Sequence, residues 1–431
     1  MYGGEFFVLL LVLGLIGVVV LALAAPLIPV RKRTLGAFPV VTVGLIALNV
    51  LVYFATMTAG GRIDERDALA WGLTPHGARL VTLLTYNFLH GDFLHILGNM
   101  LGLWLFGPHV EDALGRLEYL LFYLGCGIAA GLLHVVMVAT LLPATAGDPM
   151  IGASGALFGV LGLFAVRFYR TRVRVLLVAR IPAVWAVGGF FGLQLVFAFV
   201  SFADGGRGDK TANWAHIGGF LFGMLLARPM RMREDGKREY RLEDASAAAD
   251  AGHLDQAAAF YRVSLSEKPE DAATHRELAR VCARQNQSEA AHRHFLDALR
   301  LLLRAGNLPA AVDVYEEACQ TFETFPLPPA LLYRLGGACE AVQKFPLALH
   351  ALAEICRSHS GASEAEMALL RMGKLHLQYL AQPKSAQAIF AEFLRLYPES
   401  EWKGHAERFL AEARHRAATG GYDPLPAPQQ G

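Results

Sequence analysis

Five side chains in the first half of the chain combine a chemistry-bearing type with an apolar setting: Ser154, His216, Asn99, His95 and His90. Strongly polar groups in such segments are costly to bury and tend to mark function. A serine hydroxyl is a weak nucleophile until a base takes its proton, and a neutral imidazole within hydrogen-bond reach is the usual base. Ser154 stands in Gly152-Ala153-Ser154-Gly155, and His216 in Asn213-Trp214-Ala215-His216-Ile217-Gly218-Gly219. For the two to touch, their helices must approach closely. Gly155-x-x-x-Gly159 on one and Ala215-x-x-x-Gly219-x-x-x-Gly223 on the other set small residues at one-turn spacing, which lets backbones meet. No Asp or Glu stands near either residue in the sequence, so a Ser154–His216 dyad is expected. His95 and Asn99 are four residues apart and share one helix face. Acyl transfer develops negative charge on a carbonyl oxygen, and the Asn99 amide, the His95 ring and the Ser154 N–H are the expected donors to it. His90 is expected to brace the loop before them, whereas His76, His109 and His134 are given no role. Each residue alone has an ordinary explanation, such as a serine bonding back along its own helix. The constellation carries the argument.

The elements that position these groups follow from composition. The chain of 431 residues is 54% hydrophobic and 18% charged, too apolar for an ordinary soluble protein. A helix needs about 20 apolar residues to cross the hydrocarbon core. Seven spans are expected, near Phe6–Pro29, Pro39–Met57, Phe88–Gly107, Glu118–Leu142, Ile151–Tyr169, Pro182–Phe202 and Ala212–Ala227. Ser154 then sits three residues into its helix, about 5 Å from Ile151. The connections around Arg31-Lys32-Arg33, around Arg116, from Arg167 to Arg180 and from Arg228 to Arg238 carry fourteen Lys and Arg, against five on the other side. The positive-inside rule places that first set in the cytoplasm and the N-terminus outside. Ser154, His90, His95, His216 and Asn99 all fall in the outer part of their spans or just before it. The run from Phe6 to Pro29 lacks a basic start and a clear cleavage site, so it reads as a spanning helix rather than a cleaved leader. No Asp, Glu or Lys lies deep in a span, which argues against an ion-coupled transporter.

Three segments then resemble the hallmark motifs of the rhomboid proteases: Leu89-His90-Gly91-Asp92-Phe93-Leu94-His95-Ile96-Leu97-Gly98-Asn99, Gly152-Ala153-Ser154-Gly155-Ala156-Leu157-Phe158-Gly159 and Ala215-His216-Ile217-Gly218-Gly219. Order and spacing agree as well, over about residues 39–228. The resemblance implies a Ser154–His216 dyad, an oxyanion site of His95, Asn99 and the Ser154 N–H, an acyl-enzyme, and cleavage of transmembrane segments of membrane proteins near the outer face. Six spans would form that core, with Phe6–Pro29 an extra helix. One departure is visible: many members carry Trp-Arg in the first outer loop, where this chain reads Val81-Thr82, with Arg79 displaced. A second reading is an inactive rhomboid-like scaffold that binds membrane proteins and cytoplasmic partners. Its usual mark is loss of the Ser or His, and both are present.

The second half mixes Ala, Leu, Glu, Arg and Gln as a soluble helical domain does. Turn-and-alanine starts recur at Gly252…Ala257, Asn286…Ala291, Gly306…Ala311 and Lys344…Ala348. Spacings of 34 and 37 resemble degenerate tetratricopeptide (TPR) repeats, whose stacked helix pairs present a surface for a protein or peptide ligand. The expected fold is thus all-α: an extra helix and basic loop (1–37), a six-helix membrane bundle (38–230), a basic linker (231–242), a soluble α-solenoid (243–416) facing the cytoplasm, and a disordered tail (417–431). The setting expected is a bacterial inner or plasma membrane. Cys126, Cys282, Cys319, Cys339 and Cys356 have neither the pairing of a zinc site nor the density of a disulfide scaffold, and fit a reducing compartment. No cofactor and no metal are expected. With a net charge of +1, nucleic acid is not expected as a partner, whereas the lipid bilayer is.

Overall fold

The computed structural model describes residues 38–175, 179–203 and 212–419. The expected helix at Phe6–Pro29, its basic loop and most of the expected tail lie outside these residues. The chain divides into two compact units, residues 1–237 and 238–431.

In the first unit the described helices are α1 (Val40–Thr56), α2 (Glu65–Trp71), a short α3 (Thr82–Thr85), α4 (Phe93–Leu114), α5 (Arg116–Leu141), α6 (Ser154–Arg167), α7 (Ala183–Ala203) and α8 (Asn213–Leu226). Among the described residues α4, α5 and α7 are long and apolar enough to cross a membrane; α1, α6 and α8 are apolar helices of 17, 14 and 14 residues. α6 is central: every residue from Gly155 to Ala165 is buried, the pattern of a helix wrapped on all sides. α7 is the opposite, with Trp185, Phe199 and most of its other large apolar side chains exposed. It meets its neighbours along a stripe of Val187, Gln194, Ala198 and Ser201, spaced as one helix face.

Polar residues fix the helix ends. The Asp92 carboxylate caps α4, accepting from the His95 N–H at 2.9 Å. Gly115, at φ 93°, turns the chain from α4 into α5, a conformation that costs glycine little. The buried Glu111 carboxylate accepts from the Val41 N–H (3.1 Å), the Thr42 N–H (2.8 Å) and the Thr42 hydroxyl (2.7 Å), supplying the start of α1 with acceptors for its free N–H groups.

Several boundaries differ from the sequence expectation, and the third apolar helix also runs on to Leu114 rather than Gly107, because the apolar run ends at Gly107 while the helix does not. The third apolar helix starts at Phe93 rather than Phe88, because residues 86–88 form a 3-10 turn and Asp92 supplies the cap. The fifth starts at Ser154 rather than Ile151, because Gly152 adopts φ 125°, which a helix cannot include. The connection after Arg167 holds an antiparallel hairpin of β1 (Arg172–Val175) and β2 (Ala179–Pro182). The expected linker, 231–242, is instead largely helical, in α9 (Met232–Asp250), within which the division between the units falls.

The second unit continues with α10 (Leu254–Glu267), α11 (Ala272–Arg284), α12 (Ser288–Arg304), α13 (Leu308–Thr321), α14 (Pro329–Ala341), α15 (Phe345–Ser358), α16 (Ser363–Gln378), α17 (Pro383–Leu396) and α18 (Lys403–Thr419). Each packs mainly on its sequence neighbours. The turns share a device. Gly252, Asn286, Gly306, Gln343 and Ala381 have φ between 52° and 84°, the left-handed cap that ends a helix. Each stands five residues before a fully buried alanine: Ala257, Ala291, Ala311, Ala348 and Ala386. The alanine-bearing helices are therefore α10, α12, α13, α15 and α17. The step between α12 and α13 is short because no second helix separates them.

Ion pairs join helices two apart. Arg276 Nε (2.6 Å) and Arg280 Nη2 (2.8 Å) on α11 donate to the Glu317 carboxylate on α13, and Arg371 on α16 donates to Glu340 on α14 at 2.6 Å. Burial alone would raise the Glu317 carboxyl, but the hydrogen bonds and charges of Arg280 and Arg276 hold it below its ordinary value. The described strands are confined to the hairpin and isolated bridges of the first unit, so the fold of these residues is otherwise helical.

Candidate active site

Ser154 is the first residue of α6, so its N–H is one of the orphan donors of a helix N-terminus. The Ser154 hydroxyl donates to His216 Nε2 at 2.8 Å. The histidine comes from the first turn of α8, and the contact exists because the two helices cross backbone to backbone. A Cβ added at Gly219 would strike the Gly155 carbonyl, and one at Gly223 the Gly159 carbonyl. At Gly155 it would meet Ala130 at 2.8 Å, and at Gly159 the side chain of Cys126. Ala215, buried beside this crossing, is 3.8 Å from such a Cβ at Gly155. The small-residue spacing read from the sequence is thus the geometry that joins Ser154 and His216.

His216 has a further partner that sequence reasoning missed. His216 Nδ1–H donates to Gln194 Oε1 on α7 at 2.8 Å, with the amide assigned so that its oxygen faces the ring. This fixes the tautomer and leaves Nε2 as the lone-pair nitrogen that faces Ser154. Phe158, one turn along α6 from Ser154, lies stacked on the imidazole with centroids 4.4 Å apart and planes 11° apart. A signal for Gln194 was available: it is the one amide in an otherwise apolar span.

The α4 residues also assemble here. Asn99 is buried and its Nδ2 donates to His90 Nε2 at 3.0 Å, so His90 orients that amide while a second N–H remains for another acceptor. His95 Nδ1 accepts from the Gly91 N–H at 3.4 Å, which puts the ring proton on Nε2. That nitrogen faces Gly152, where an added Cβ would lie only 2.7 Å from it. Gly152 is needed twice over, for its φ of 125° and for this approach. His95, Asn99, Ser154, Phe158 and His216 line one cavity of about 1010 Å3. His134, given no role from sequence, also lies in its wall, whereas His76 and His109 do not.

Around the site, Leu73 and Met150 exchange backbone hydrogen bonds of 2.9 Å, tying the first loop to the segment before Ser154. The Arg79 guanidinium donates to the Ala70 carbonyl at the end of α2, and Thr82 Oγ1 donates to the Arg79 carbonyl at 2.7 Å. The displaced arginine and Thr82 therefore still brace this loop.

Comparison with known proteins gives matching results. Residues 77–233 match the family described as the Rhomboid domain. The mitochondrial Rhomboid protein 1 of Saccharomyces cerevisiae is 30% identical over 165 residues, 38% of this chain and 46% of that protein. RHOMBOID-like protein 7 of Arabidopsis thaliana is 28% identical over 167 residues, 38% and 47% of the two chains. Rhomboid protease GluP of Bacillus subtilis is 28% identical over 223 residues, 50% and 40%. This chain thus spans about half the length of the curated relatives it matches. The domain match, the named relatives and the apolar helices together indicate an integral membrane protein and support the rhomboid family for its first unit.

Proposed function

We propose that this chain is an intramembrane serine endopeptidase that cuts transmembrane segments of membrane proteins. The observation that carries the reading is the 2.8 Å hydrogen bond from the Ser154 hydroxyl to His216 Nε2, at the wall of a cavity. As the peptide carbonyl seats, His216 Nε2 takes the hydroxyl proton and Ser154 Oγ bonds to the carbonyl carbon. The oxyanion forms beside the α6 N-terminus, where the Ser154 N–H, the His95 Nε2–H and the free Asn99 N–H are the donors. His216 then passes its proton to the leaving amine, and water hydrolyses the acyl-enzyme by the reverse sequence. Gln194 acts as a positioning residue: it holds the Nδ1 proton and stabilises the ring as it charges. A substrate helix must unwind to offer a carbonyl, since an intact helix satisfies its own. The charge asymmetry of the loops supports cleavage near the outer face, with the N-terminus outside and the six apolar helices as the membrane core.

The second unit we read as a TPR-like solenoid that binds a protein or peptide on the cytoplasmic side. Its sequential helix packing and the recurring left-handed turn before a buried alanine support this.

The test is cleavage of a model single-span substrate by wild type, Ser154→Ala and His216→Ala in membranes. Both variants are expected to lose at least about 1000-fold in rate, as when members of one nucleophile–base unit are removed. Undiminished cleavage by Ser154→Ala overturns the mechanism.

A further inference from the structure

A second cluster of chemistry-bearing side chains lies in the second unit, where α11 packs against α12. His275 is on α11, and His294 and Asp297 are three residues apart on one face of α12. The two Nδ1 atoms are 3.1 Å apart, and the Asp297 carboxylate is 4.0 Å from His275 Nδ1. All three ligand atoms lie within 4.8 Å of one another, the one group of this kind among the described residues.

The tautomer of His275 is set from behind. Its Nε2–H donates to the Pro269 carbonyl at 3.0 Å, leaving Nδ1 as the lone-pair nitrogen that faces His294. A backbone carbonyl on the far ring nitrogen is the arrangement that orients metal-bound imidazoles. A proton shared between the rings would satisfy the two nitrogens but would give no reason for a carboxylate at the third corner. Ligands at 2.0–2.2 Å from a tetrahedral zinc ion stand about 3.3 to 3.6 Å apart, so separations of 3.1 and 4.0 Å close on one ion with small side-chain adjustments. Two imidazoles and a carboxylate suit zinc, cobalt or nickel rather than calcium or magnesium. Asp297 is half-exposed, which gives an ion a way in. Arg262 and Arg293 lie within electrostatic reach of His294 and oppose a cation, while Asp297 favours one.

We propose that His275 Nδ1, His294 Nδ1 and the Asp297 carboxylate bind one divalent transition-metal ion of the zinc class, with water as fourth ligand. The ion clips α11 to α12 within the helix array. Nothing in the linear spacing announces it, since 19 residues and a helix turn separate the histidines.

The experiment titrates cobalt(II) chloride into the full-length protein in detergent and follows the visible absorption of tetrahedral cobalt, with zinc chloride as competitor. Wild type is expected to bind one equivalent that zinc displaces. His294→Gln and Asp297→Asn, at partly exposed positions, are expected to weaken that binding by about 10-fold or more with helical circular dichroism unchanged. No tetrahedral band in wild type, or equal binding by His294→Gln, overturns the proposal. His275→Gln is a third variant, read only alongside its circular dichroism because that side chain is buried.

Discussion

The two units solve the same problem, packing helix against helix, with different residues. In the first, α6 and α8 meet through Gly155, Gly159, Gly219 and Gly223, and their backbones touch. In the second, five helices carry a fully buried alanine five residues after a left-handed turn, with aromatic side chains such as Phe295, Tyr315 and Phe390 filling the space between helices. The polar groups differ in parallel. Around Ser154 the partners are neutral amides, imidazoles and a hydroxyl; in the second unit they are Arg–Glu pairs. On the proposed arrangement, with the first unit in lipid and the second in water, the difference follows from the solvent. Lipid gives no hydrophobic drive between helices, so contact rests on close backbone approach and on hydrogen bonds. Water supplies that drive, and charged pairs can sit at the rim.

The contrast can be broken at the crossings first. Gly219→Leu drives a branched side chain into the Gly155 carbonyl and separates Ser154 from His216. Cleavage should fall to background, and thermal unfolding in detergent should show a loss of about 3 kcal/mol, the upper part of the overpacking range. Ala311→Leu in the second unit should cost about 1–3 kcal/mol by the same measurement. Equal damage with cleavage retained in Gly219→Leu would remove the distinction.

Next in size is the proposed oxyanion donor. Asn99→Ala should lower kcat by about 100-fold with a smaller change in KM, measured on a single-span substrate. An unchanged kcat would exclude that amide from the chemistry. Gln194→Leu removes the acceptor of the His216 Nδ1–H, which costs about 1–3 kcal/mol and predicts a loss of roughly 5- to 150-fold in kcat. Because that bond is neutral, the loss should change little between low and high salt. Salt-sensitive activity in wild type, abolished by Gln194→Leu, would contradict the neutral pairing.

The smallest effect sharpens the charged side of the comparison. Glu317 is held below its ordinary carboxyl value in the folded chain. Its stabilisation is therefore full above the unfolded value and fades as pH falls through the lower, folded one. Glu317→Gln should destabilise the second unit at pH 7, and the gap from wild type should close on acidification below about pH 4 and shrink in high salt, followed by urea unfolding. A gap that widens in acid would reverse the sign and refute the assignment.

The candidate site was legible where polarity contrasts with an apolar background. Ser154, His216, His95 and Asn99 all stand out in that way, and glycine spacing marked the crossing that joins them. Gln194 escaped because an amide among apolar residues does not say what it bonds to; its meaning depends on which helix that face of α7 meets. The start of α6 at Ser154 was hidden because Ile151 and Ala153 are as apolar as the helix itself, and only the φ of Gly152 separates them. Residues 231–242 read as a linker because charge density signals solvent and says little about backbone conformation, while Leu, Arg, Glu and Lys are all good helix formers. The alanine starts were legible for a simple reason. A small residue at a fixed distance from a turn is both a packing requirement and a sequence pattern, and Ala386 after Ala381 extends the series by one more member.

That Ser154, Gln194 and His216 come from three successive apolar helices has a consequence for biosynthesis. A chain is made from its N-terminus, so on the proposed topology Ser154 enters the bilayer two helices ahead of His216. Until α8 docks on α6, Ser154 is an ordinary hydroxyl, and until α7 joins them the imidazole lacks the acceptor that fixes its tautomer. On the proposed chemistry, a half-inserted or misassembled copy is harmless to the membrane proteins around it, and proteolytic competence arrives only with α8.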